Sequence, residues 1–215
     1  MSSRNAAILK EFMYITCLDL EGVLVPEIWV AFAEATGIAE LRLTTRDVPD
    51  YDALMKRRLA ILKERRLSLS AIQDTIAGID PLDGAKEFLD ELRARCQVII
   101  LSDTFTQFAL PLMKKLGMPV IFCNSLIVAD DGMITSYALR QQNGKFRAVQ
   151  AFASIGFKTI AAGDSFNDLA MLNEADAGFL FRAPPHIAAD NPAISAFATY
   201  GELLDAIASV LNRRS

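Results

Sequence analysis

Histidine is almost missing from this chain: His186 is the single one in 215 residues. A metal site built on several imidazoles is therefore excluded, and a Ser-His-Asp or Cys-His relay would rest on one candidate. Cysteine is scarce and odd in number, at Cys17, Cys96 and Cys123, with no C-x-x-C pair. That favours a reducing, cytoplasmic setting over a disulfide framework. An uninterrupted apolar run of about 18 residues, the length a membrane span needs, is absent. The opening residues MSSRNAAILKEFM are broken by Lys10 and Glu11 and are too polar for a signal peptide. Positive charge is not in excess either: 22 basic against 26 acidic side chains leave a net charge of −4. Nucleic-acid binding, which needs a basic footprint, is not expected. No G-x-x-x-x-G-K-[ST] occurs, so an ATP-dependent kinase of the P-loop class is not supported.

What is present is a chain 52% hydrophobic, enough for a substantial core and against disorder. Apolar runs alternate with helical patterns, the mark of an α/β fold with a parallel sheet. Strands are expected at 13–18, 97–101, 119–123, 157–162 and 177–181, and a hairpin over 125–139 turning at Asp130-Asp131-Gly132. Helices are expected at 27–36 with Gly37 as the stop, at 52–65, at 84–95, at about 145–155, at 168–175 and at 201–212. Ser70-Ala-Ile-Gln73 reads as a capping box opening a further helix that ends near Gly78. A helix ending at Leu116 contains Pro111, which is expected to kink or break it. Residues 26–79 interrupt the alternation with helices only and read as a helical insertion after the first strand.

Three expected strands end at Asp19, at Ser102-Asp103 and at Asp164. Ligands of open parallel sheets bind at the carboxyl ends of strands. An Asp at such an end serves as nucleophile or hard-metal ligand, though alone it more often caps a turn. Ser102 can hold a phosphate oxygen with its hydroxyl and a following N–H, though Ser-Asp also starts helices routinely. Asp164 and Asp168, four apart across a loop and a helix start, suit Mg²⁺, which takes oxygen ligands and few carboxylates. Lys145 alone would be a solvated charge; beside these acids it becomes the balancing cation. His186, after Pro184-Pro185, is expected in a surface loop, and Trp29 in packing.

Together and in this order, Asp19-Leu-Glu21, Ser102, Lys145 and Gly163-Asp164-Ser-Phe-Asn-Asp168 resemble the haloacid-dehalogenase superfamily, in its phosphoserine phosphatase branch. The stretches Asp19 to Trp29, Leu101 to Thr104 and Ala161 to Ser165 look like one bacterial subgroup acting as phosphoserine phosphatase and phosphoserine:homoserine phosphotransferase. The resemblance spans about residues 13–205. It implies a Rossmann-like core over 13–25 and 80–215, a small helical cap over 26–79, and an N-terminal extension over 1–12. It implies Mg²⁺ held by Asp19, the Glu21 carbonyl and Asp164, with Asp168 positioning ligands or water. Asp19 becomes the nucleophile and Glu21 the general acid/base, standing where the superfamily usually has Asp. Ser102, the backbone at Asp103, Lys145 and Asn167 would hold the phosphoryl oxygens. Glu27 would pair with an amino group and Arg58 would clamp a carboxylate, with Lys56 and Arg57 as rivals on the same face; Tyr51 and Met55 either line the pocket or pack the core. The substrate is then phosphoserine, with homoserine as a second acceptor, handled by a monomer or homodimer. A phosphatase for another small phosphomonoester and a receiver-like phospho-aspartate module are the competing readings; the helical insertion and the pair Asp164 and Asp168 speak against the second.

Overall fold

The computed structural model describes residues 13–44, 47–48 and 50–212. The expected extension over 1–12 lies outside the described residues. The elements run β1 (Tyr14–Leu18), α1 (Ile28–Thr36), α2 (Tyr51–Glu64), α3 (Leu69–Ala77), α4 (Ala85–Arg93), β2 (Gln97–Phe105), α5 (Thr106–Lys115), β3 (Ile121–Val128) and β4 (Ile134–Ala138). They continue as α6 (Gly144–Ser154), β5 (Lys158–Gly163), α7 (Leu169–Glu174), β6 (Ala177–Phe181), α8 (Pro185–Asp190), β7 (Ser195–Phe197) and α9 (Tyr200–Leu211).

The strands form one sheet in the order β4-β3-β2-β1-β5-β6-β7. All neighbours are parallel except β3 and β4, the arms of the expected hairpin. Its turn closes through an Ala129 N–H donating to the Met133 carbonyl, with Gly132 at φ 81°. β1 lies at the centre: the chain moves outward through β2 and β3 on one side and through β5 to β7 on the other. Where the direction of winding reverses, the helices splay and leave a crevice at the carboxyl end of the central strand. Asp19 follows directly on β1, so the topology alone places it there.

Each sheet face buries its own apolar cluster. One joins Leu18, Ile100 and Phe181 with residues of α1 to α5 and α9. The other joins Cys17, Leu101 and Leu180 with residues of α6, α7 and α8. Strands buried on both faces read as near-continuous apolar runs, which is why YITCL and FKTIAA were legible. Among the described residues, no helix is long and apolar enough to cross a membrane.

Several local expectations are corrected. The cap of α3 is Ser68, which accepts the Ala71 N–H at 3.3 Å, and not a Ser70 box. Gln73 instead donates from Nε2 to the Gln107 carbonyl at 2.7 Å. The reason lies in Pro111, which α5 carries without breaking. Proline has no N–H, so the carbonyl four residues earlier loses its helical donor, and Gln73 supplies one from another helix. β2 continues past Leu101 to Phe105 through a register shift against β3, an irregularity that turns Ser102 and Asp103 out of the ladder. The expected strand at 119–123 and the first hairpin arm are one strand, β3. The short α8 and β7 were not anticipated, and His186 sits exposed in the first turn of α8 rather than in a loop.

Candidate active site

Asp19 is buried, and its N–H donates to the Ala162 carbonyl at 2.9 Å, extending the β1–β5 ladder to the crevice. Its Oδ1 accepts the Leu20 N–H at 2.7 Å, and its Oδ2 lies 2.8 Å from Lys145 Nζ. Lys145, in the first turn of α6, is 6% exposed. Its Nζ also donates to Asp168 Oδ1 at 2.7 Å and lies 3.7 Å from Asp103 Oδ2. Asp168 is wholly buried. Its Oδ2 accepts from the N–H of Asp164 and of Ser165, each at 3.1 Å, and from the Ser165 hydroxyl at 3.2 Å. Both its oxygens are therefore engaged: Asp168 holds Lys145 and shapes the loop that carries Asp164. Ser165 was not anticipated in that role.

Two glycines let these parts approach. At Gly22, φ is +74° and a Cβ would stand 2.3 Å from Asp164 Oδ2; at Gly163 it would stand 2.4 Å from Asp168 Cγ. No other residue fits either place without moving a carboxylate.

The charge balance is uneven, with Lys145 facing Asp19, Asp103 and Asp168 directly. Burial, and then repulsion from Asp168, push the Asp19 carboxyl well above its usual range although Lys145 opposes both. Burial, Asp168 and Glu27 push Asp164 up to about 6. Burial pulls the Lys145 ammonium down, but Asp168, Asp19 and Asp103 more than reverse this and hold it well above normal. Oxygens of Asp19, Asp164 and Asp168 all lie within 4.8 Å of one another. A hard divalent cation fits this donor set: it prefers oxygen and would relieve carboxylates now forced toward their neutral form.

Glu21 is tied to α1, its Oε1 accepting the Ile28 N–H at 2.8 Å. Burial first and Glu27 second push its carboxyl up to about 7, against the Ile28 N–H, Lys145 and Arg58. That range suits a group that both gives and takes a proton near neutrality. Ser102 is buried, and its Oγ accepts the Thr104 N–H at 3.2 Å. Asp103 is exposed and accepts from Asn167 Nδ2 at 3.1 Å. Asn124 was missed in the sequence: buried on β3, it donates to the Asp103 carbonyl and accepts the Arg140 N–H, each at 3.0 Å. A polar amide within the apolar run of β3 was the available signal.

The helices between β1 and β2 bring Arg58 inward, while Lys56 and Arg57 point outward on the exposed face of α2. Arg58 is 7% exposed. Its Nη2 donates to the Leu43 carbonyl at 2.7 Å, while Nε has no hydrogen-bond partner. Burial draws its pKa down to about 10, against the pull of Glu21, Tyr51 and Glu27. Glu27 is exposed at the start of α1. Met55 is fully buried, and Tyr51 is half-buried edge-on to Tyr137.

A family model of haloacid dehalogenase-like hydrolases matches residues 16–176. A phosphoserine phosphatase of Pseudomonas syringae pv. tomato is 54% identical over 199 residues, 93% of this chain and 84% of that protein. Phosphoserine phosphatase ThrH of Pseudomonas aeruginosa is 55% identical over 191 residues, 89% of this chain and 93% of that protein. Among solved structures, a phospho-aspartyl intermediate analogue of phosphoserine phosphatase superimposes with a TM-score of 0.72 at 25% identity, covering 90% of this chain and 98% of that one.

Proposed function

This chain belongs to the haloacid dehalogenase-like hydrolase family, and from that premise we propose that it is a Mg²⁺-dependent phosphoserine phosphatase working through a phosphorylated Asp19. We further propose homoserine as an alternative phosphoryl acceptor, residues 26–79 as a cap over the crevice, and 13–25 with 80–215 as the catalytic core. The observation that carries the reading is a buried Asp19 held by Lys145, opposite a Glu21 whose carboxyl is pushed up to about 7.

Phosphoserine brings a phosphate, a carboxylate and an ammonium. The Ser102 hydroxyl, nearby backbone N–H groups, Lys145 and Asn167 take the phosphoryl oxygens. Arg58, a buried cation with an unused donor, takes the carboxylate, which removes the penalty of an unpaired buried charge. Glu27 faces the ammonium. The metal would be held by Asp19, Asp164 and the Glu21 carbonyl, and when bound it supplies positive charge beside the phosphoryl oxygens. An Asp19 carboxylate oxygen then attacks phosphorus in line, and the bond from phosphorus to the seryl oxygen breaks. Glu21 gives its proton to that oxygen and serine leaves. In the second half, Glu21 takes a proton from water, the water oxygen bonds to phosphorus, and Asp19 departs as carboxylate with release of inorganic phosphate. Homoserine in place of water yields phosphohomoserine by the same proton transfer.

Product analysis tests this. With phosphoserine and Mg²⁺ the expected products are serine and phosphate, and added homoserine diverts phosphate into phosphohomoserine. Turnover in Asp19→Asn, or no preference for phosphoserine over sugar phosphates, would refute the proposal; hydrolysis without any phosphohomoserine removes only the acceptor.

A further inference from the structure

We infer that Trp29 is a positioning residue for substrate recognition, its indole face fixing the Arg58 guanidinium in the orientation that receives the substrate carboxylate. The inference rests on the proposed pairing of Arg58 with that carboxylate.

Arg58 Cζ stands 4.4 Å from the Trp29 ring centroid, a cation–π distance. The indole is itself immobilised. It is 8% exposed, with Phe108 edge-on at 5.3 Å and 71° and Phe32 edge-on at 6.4 Å and 85°. The guanidinium has two further contacts: Nη2 donates to the Leu43 carbonyl and Nη1 contacts Met55 Sδ at 3.8 Å. Arg58 makes no ion pair among the described residues. A buried cation is ordinarily oriented by a carboxylate; here an aromatic face, a carbonyl and a thioether do that work. None of the three neutralises the charge, so it stays available to a ligand. A side-chain carboxylate in place of the indole would orient Arg58 equally well and quench it.

The neighbouring residue adds a second consequence. The Ile28 N–H holds Glu21, and Trp29 holds Arg58. One turn of α1 thus sets the spacing between the proposed acid/base and the proposed carboxylate clamp. A substrate whose leaving oxygen and carboxylate fit that spacing is favoured over phosphomonoesters that offer only the phosphate.

The test compares phosphoserine with p-nitrophenyl phosphate, which has no carboxylate, in Trp29→Leu, Trp29→Met, Trp29→Phe and Arg58→Ala, and in Trp29→Leu combined with Arg58→Ala. We expect the two non-aromatic variants to raise KM for phosphoserine roughly 3- to 30-fold, the range a partly desolvated cation–π contact spans. Their kcat should stay within about threefold, and KM for p-nitrophenyl phosphate should be unchanged. Trp29→Phe should recover most of the loss, and in the Arg58→Ala background Trp29→Leu should add nothing to KM for phosphoserine. A selective Arg58→Ala effect with an equal Trp29→Leu effect on both substrates overturns this inference alone. An Arg58→Ala effect equal on both substrates overturns the carboxylate pairing, and the inference with it. Should Trp29→Leu be too unstable to assay, the longer, more adaptable Met side chain and the aromatic Phe decide the same comparison.

Discussion

Three glycines separate backbone strain from collision at the site, and substituting each by alanine makes a graded prediction. Gly37, the left-handed stop of α1, has φ +70° and nothing within 4 Å of an added Cβ. Gly163 has no positive φ, but its Cβ would lie 2.4 Å from Asp168 Cγ. Gly22 has both, φ +74° and 2.3 Å to Asp164 Oδ2. A left-handed alanine costs about 1–2 kcal/mol, and overpacking a filled site about 1–3 kcal/mol. At roughly 2–4 °C per kcal/mol for a domain of this size, Gly37→Ala should lower Tm by roughly 2–8 °C, Gly163→Ala by roughly 2–12 °C and Gly22→Ala by roughly 4–20 °C. Activity should separate them further. The Gly22 collision is about 1 Å short of contact distance, so Asp164 must move by about that much, enough to cost about a hundredfold in kcat/KM. Gly37→Ala should stay within about twofold of the parent, since its strain is remote from the chemistry. Thermal melts and phosphatase assays across a Mg²⁺ titration make the measurement. If Gly22→Ala keeps its kcat/KM and its Mg²⁺ response while losing no more Tm than Gly37→Ala, the close approach of Gly22 to Asp164 plays no part in the site.

Lys145→Met should abolish turnover and cost about 3–5 kcal/mol at neutral pH, because buried Asp19 and Asp168 lose their cation; melts at pH 5 and pH 8 should show the loss shrinking in acid, and a pH-independent loss would contradict it. In the metal-free protein, Glu21 near 7 and Asp164 near 6 bind protons more tightly folded than unfolded, where they would titrate at 4.5 and 3.8. Their contribution is present in acid and lost as pH rises, so Tm should fall between about pH 5 and pH 7 and recover on adding Mg²⁺; a metal-free Tm rising across that window would refute it. Glu27→Gln removes a charge that raises the Glu21 carboxyl, so the limb of the pH–rate profile near neutrality should move to lower pH. An unmoved limb would detach it from Glu21.

The parts of the fold legible in the sequence were those where one residue's surroundings decide its state. Strands buried on both faces announce themselves as apolar runs, and Gly37 marks a left-handed stop that few residues adopt. Asp19, Ser102 and Asp164 stood out only together: each alone has an ordinary capping role, but three polar side chains closing three apolar runs of a parallel sheet converge at one edge. The double duty of Asp168 was not legible: spacing places it near Asp164, but only the folded loop shows both its oxygens engaged. Asn124 left one trace, a polar amide inside an apolar strand, but its partner at Asp103 comes close only in the fold; Ser165 left none, since its N–H and hydroxyl reach the Asp168 carboxylate only once the loop is folded. The cap of α3 is Ser68 rather than Ser70, and Gln73, read as the partner in a capping box, serves a carbonyl of α5 instead, a contact with no local signature. The β2 irregularity depends on pairing with β3, a partner about twenty residues on.

That contact with α5 has an effect on how the molecule comes together. A short helix depends on packing for most of its stability, but its internal backbone hydrogen bonds ordinarily come from its own chain. With Pro111 in its second turn, α5 lacks one of these bonds; its Gln107 carbonyl is served by a side chain 34 residues upstream. Until α3 docks, that carbonyl must keep water, and once α3 docks it becomes a fixed anchor. Assembly of the two helices is thereby coupled: the carbonyl that Pro111 leaves open in α5 is closed by a side chain of α3.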